Sequence, residues 1–167
     1  RWVSHLSYRT KELSITHPSF GFAEKERENW EKNQSWQAFR ELMERMLAAK
    51  DWAESFLALN IIAKPAIDEA FLRGLRNSGR RANDTLLALL AEAALRDSER
   101  SRRWTTSLVE MILSDSSNRS QMELFMDKWC PLANSAIENY CSTLPNQPGA
   151  VDLAMSNLKK FHSQLGL

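Results

Sequence analysis

Asp51-Trp52-Ala53-Glu54-Ser55-Phe56-Leu57-Ala58-Leu59-Asn60-Ile61-Ile62-Ala63-Lys64-Pro65-Ala66-Ile67-Asp68-Glu69 contains the longest apolar stretch of the chain, Phe56 to Ala63, and then turns acidic. With its continuation to Arg73 it reads as a core helix. The segment Asp84 to Leu113 reads as its neighbour, since Leu86, Leu90, Ala93, Asp97, Arg100, Trp104 and Leu108 step by three or four residues. That line is apolar at both ends and charged in the middle. A charged centre in an apolar stripe marks either a former metal site or a buried ion-pair network.

Chemistry favours the ion pairs. A pair of metal ions held by carboxylates in a four-helix bundle needs an inward Glu from one helix and a Glu-x-x-His from the next. Glu54 and Glu99 suit the two carboxylate places, but the residue three after Glu99 is Arg102. A guanidinium is always protonated and has no lone pair for a metal, so the site fails as written. The three histidines, His5, His17 and His162, do not follow an acid at that spacing. They and the two cysteines lack zinc-ligand spacing as well.

Composition excludes other classes. The 167 residues are the size of one domain, with 43% hydrophobic and 26% charged residues. A net charge of +1 gives no strong field toward nucleic acid or a membrane. The arginines of Arg96 to Arg103 are interleaved with acids, as on an exposed salt-bridged helix face. With five Gly, five Pro and no long alternating run, the chain reads as all-α. Cys130 and Cys141 lie about 16 Å apart along one helix, beyond disulfide reach, and read as free thiols in a reducing cytoplasm. No phosphate loop or nucleophile elbow is present, and Asp68, Glu69 and Glu92 read as solvated ion-pair acids.

Along the chain, the first helix should stop at His17, before Pro18, and a short charged helix should span 23–32. Asn33 to Ser35 should cap a helix whose Trp36, Phe39, Met43, Met46 and Leu47 share a face. Glu54 equally suits the third position of a capping box opened by Asp51. Pro65 should kink its helix, and a loop at Asn77-Ser78-Gly79 should end it, the next beginning near Asn83 or Asp84. Ser120 to Glu123 reads as a capping box, and Pro131 either lies inside the helix that follows or starts another. Pro145 to Gly149 should end the helical domain, 1–145, leaving a tail, 146–167, with a peripheral helix from Ala150 to Phe161. Most of the six tryptophans should be core, the rest interface anchors. The opening residues already read as mid-helix, so the chain is expected to be a piece of something longer.

Tyr8-Arg9-Thr10-Lys11-Glu12-Leu13, Glu26-Arg27-Glu28-Asn29-Trp30-Glu31, Trp36-Gln37-Ala38-Phe39-Arg40-Glu41-Leu42, Asp51 to Phe56, Arg96 to Trp104 and Lys128-Trp129-Cys130-Pro131 occur in that order. In these motifs the chain resembles the hydroxylase β subunit of bacterial multicomponent di-iron monooxygenases, most of all the toluene (aromatic) type. The resemblance covers almost the whole chain, which is similar to the C-terminal half of such subunits. It implies a ferritin-like helical bundle whose metal site is degenerate, with Glu54, Glu99 and Arg102 at former ligand positions and no catalytic, cofactor or metal residue of its own. It further implies a partner α subunit holding the di-iron centre, a small γ subunit, and a dimer of αβγ trimers. An effector protein, a ferredoxin and an NADH-oxidising reductase would act on the complex. Two other readings stay open beside it. One is a free-standing helical metal-carboxylate enzyme built from Glu54, Glu92, Asp97 and Glu99; the other, a nucleic-acid binder using Arg96 to Arg103, is opposed by the near-zero net charge.

Overall fold

The computed structural model describes residues 2–21 and 25–167, the side chains of Trp2 and Phe20 excepted. Among the described residues the secondary structure is helical throughout, with no strand. The helices are α1 (Trp2–Thr16), α2 (Glu26–Lys32), α3 (Gln34–Leu47), α4 (residues 52–81), α5 (Thr85–Leu113), α6 (Asn118–Cys141) and α7 (Ala150–Gln164). The start of the expected charged helix at 23 lies outside the described residues.

Helix α4 is the axis of the fold. It touches α3, α5, α6 and α7, and it is apolar all round where they meet. Leu57, Ala58, Ile61, Ile62, Ala63 and Ala66 are each almost wholly buried. A helix without a polar side must be covered on every side, so it takes the centre. Around it, α3 brings Phe39 and Leu42, α6 brings Trp129, Ala133 and Ile137, and α7 brings Ala154, Leu158 and Phe161. The closing helix, expected at the periphery, is therefore part of the same core: one of its faces is continuously apolar.

Helix starts are set by short polar side chains. Asn33 Oδ1 accepts from the Ser35 N–H at 3.0 Å, Asp51 Oδ1 from the Glu54 N–H at 2.8 Å, and Asp84 Oδ1 from the Leu87 N–H at 3.0 Å. Each such cap is worth about 1 kcal/mol. At α6 the start is not the expected box at Ser120. Asp115 accepts from the Ser117 N–H at 2.9 Å, turning the chain early enough for the helix to begin at Asn118. Pro131 lies inside α6 on its exposed side, where the unmatched carbonyl four residues earlier can meet water.

One expectation for α4 changes. It does not end at Asn77-Ser78-Gly79 but runs to Arg81, and Asn83, in the left-handed region at φ 56°, makes the turn. Gly79 is a packing residue: a Cβ there would stand 2.8 Å from Ala88 N and 3.0 Å from Asp84 O, so only glycine lets α4 and α5 meet backbone to backbone. Pro65, expected to kink the helix, lies within it. Its turn is flanked by two π-helical stretches, Ala58–Ala63 and Asp68–Leu72, in which Lys64 N–H bonds to Leu59 O and Arg73 N–H to Asp68 O, five residues back. Pro65 has no N–H for Ile61 O; the His162 Nε2 of α7 stands 2.9 Å from that oxygen and donates instead.

Gly79→Ala should therefore lower stability by about 1–3 kcal/mol, although alanine is the better helix former. Urea unfolding of the variant and of Gly74→Ala separates the two cases. A Cβ at Gly74 meets first the end of the Leu144 side chain, which can move, so the loss there should be smaller.

Candidate functional site

The polar centre lies where α4, α5 and α7 meet. Asp68 and Glu69 head the second π stretch of α4, and both are 3% exposed. A π turn holds more residues than an α turn, so adjacent side chains splay less and two consecutive acids can face one side. Glu69 Oε2 accepts from Arg73 Nε at 2.5 Å and from Asn157 Nδ2 of α7 at 2.8 Å. Its Oε1 accepts from Arg73 Nη2 at 3.1 Å and from Arg102 Nη2 of α5 at 3.0 Å. Asp68 accepts from Ser98 Oγ at 2.8 Å and from Arg102 Nη2 at 3.4 Å. The Arg102 guanidinium also lies over the Phe161 ring, 5.3 Å from its centroid. Thus one arginine ties three helices together.

The neighbouring acids respond oppositely. Burial pushes the Asp68 carboxyl above its usual range, with Ser98 and Arg102 opposing it in part. Glu69 is also buried, but Arg73, Asn157 and Arg102 outweigh that and hold it below the usual range. Burial holds His162 below its ordinary value, assisted by the Arg102 charge and opposed by the bond to Ile61 O. Cys130 and Cys141 are free, and burial raises both thiols to about 11, so neither is a ready nucleophile at neutral pH.

The residues singled out from the sequence do not converge. Glu54, with its side chain 12% exposed, accepts from Lys128 Nζ at 2.5 Å and Trp129 Nε1 at 2.9 Å, binding α4 to α6. Its backbone N–H takes the Asp51 cap, while its side chain turns to α6 rather than completing the box. Glu99 is exposed. Asp97, also exposed, pairs with Arg100, and Glu92 faces Arg76 and Arg80, each at 3.4 Å. Arg102 alone of these reaches the polar centre, through Asp68 and Glu69 rather than Glu54 or Glu99. Among the described residues no group of three or more His, Cys, Asp or Glu stands close enough to hold a metal ion. Asp68 and Glu69, read as solvated acids, are the buried pair. Their spacing from Ile61 and Pro65 continues the buried line of α4 and was the signal available for finding them.

Two tests follow from this geometry. Arg102→Leu should destabilise the fold by about 2–4 kcal/mol because Asp68 loses its cation. Adding Asp68→Asn should recover part of the loss in a chemical-denaturation cycle; an unchanged single variant would remove the network from any structural role. The pH test uses depressed groups. His162 stabilises the fold fully above its ordinary value of about 6.5 and progressively less as pH falls through its lower folded value. Glu69 does the same below the ordinary glutamate range, whereas raised Asp68 contributes at low pH and loses that contribution as pH rises through its folded value. The urea midpoint should fall between about pH 7.5 and 5.5, and His162→Gln, which can still donate to Ile61 O, should flatten that fall.

Comparison with known proteins places this arrangement. The model of the Methane/Phenol/Alkene Hydroxylase family matches residues 1–116. The chain is 46% identical over 144 residues to the hydroxylase component subunit beta of the toluene-4-monooxygenase system of Ectopseudomonas mendocina, covering 86% of this chain and 44% of that protein. It is 27% identical over 141 residues to the hydroxylase component small subunit of propane 2-monooxygenase from Gordonia sp. (strain TY-5), covering 81% of this chain and 38% of that one. A solved structure of toluene 4-monooxygenase with toluene bound in the resting active site superposes with a TM-score of 0.83 at 46% identity, over 86% of this chain and 48% of the other. The chain thus spans less than half the length of the relatives it matches. On the family match and this likeness in sequence and structure, the chain belongs to the methane/phenol/alkene hydroxylase family and has its ferritin-like helical fold.

Proposed function

We propose that this chain is part of the non-catalytic β subunit of a toluene-type multicomponent monooxygenase hydroxylase, and that it scaffolds an α subunit carrying the di-iron centre. The observation that carries this reading is the Arg102 guanidinium between Asp68 and Glu69. A cation with no lone pair stands among the buried carboxylates, where a ligand set for metal would need free acceptors. The named likeness to a hydroxylase subunit beta supports the assignment to β. In this reading the di-iron centre of the α subunit supplies oxygen activation, placing one atom of O2 on an aromatic ring with electrons from NADH. The contribution of this chain is shape and rigidity. A small γ subunit and pairing of two αβγ units would complete the hydroxylase, and an effector protein and a ferredoxin would act on it. Free thiols suit the reducing cytoplasm.

The rival reading, a metal-carboxylate enzyme built from Glu54, Glu92, Asp97 and Glu99, loses support because Glu54, Glu92 and Asp97 each pair with a different cation and Glu99 is exposed. Expression of the full-length subunit with and without its α partner decides between them by iron content and ring hydroxylation. Iron and turnover should both require α. Stoichiometric iron in the β subunit alone, or turnover by it, would overturn the proposal.

A further inference from the structure

We draw no further inference here: the strongest candidate, the apolar groove between α2, α3 and α4 walled by Trp30, Trp36, Phe39, Met43, Ile67 and Phe71, is open to the surface, and nothing in the structure shows what covers it.

Discussion

The fold depends on one guanidinium. Arg102 reaches from α5 to two carboxylates of α4 and lies over a ring of α7, so the relative positions of three helices are tied to a single charged group. Two adjacent buried acids without a cation would repel each other and could not both stay ionised. Arg73, four residues on from Glu69, neutralises one acid from within α4, and Arg102 joins the pair to the rest of the bundle. Breaking a buried pair is expensive because it strands a charge, even where forming it contributes little net stability. The network therefore acts chiefly on which packing is allowed. Any register of α5 that moved Arg102 by one turn would leave Asp68 uncompensated.

That register is made possible by irregular backbone. A regular helix would lose a hydrogen bond at Pro65 and splay Asp68 and Glu69 further apart. The π stretches on either side of Pro65 reset the bonding pattern, and His162 supplies the donor that the proline lacks. The last helix is thus bound to α4 twice, through His162 to a main-chain oxygen and through Asn157 to Glu69. Both contacts are polar and both sit beside Arg102, which is why the chain after Gly149 is integral to the bundle rather than appended to it.

Much of this was legible in the sequence. The apolar run through Ile61 and Ile62, the caps at Asn33, Asp51 and Asp84, and an ion-pair role for Arg102 were all visible as residue types at fixed spacing. What escaped was burial. Asp68 and Glu69 have Lys64 and Arg73 close by in sequence and so read as solvated ion-pair acids, although their spacing from Ile61 and Pro65 continues the buried line of α4. Glu99 shares α5 with Arg102 but lies three residues away, on the exposed side. Gly79 read as a loop because glycine marks turns far more often than it marks a helix crossing. The tryptophans divide as expected into core and non-core, but type did not say which is which: Trp129 is 1% exposed, while Trp30, Trp52 and Trp104 are exposed. Side-chain type alone does not tell a core aromatic from an exposed one.

The exposed tryptophans and the buried arginine are two consequences of one arrangement. A bundle that fills its centre with charge has less apolar surface to hold its helices together, so it needs long helices with burial elsewhere. Helix α5 meets that need on one side only: alanines and Leu95 seat it closely on α4, and leucines, tryptophan and methionine are left outward. Small residues inward and large ones outward are the reverse of what a solitary bundle would select, since the larger groups gain most from burial. The outward face of α5 therefore carries large apolar groups that none of the described residues buries.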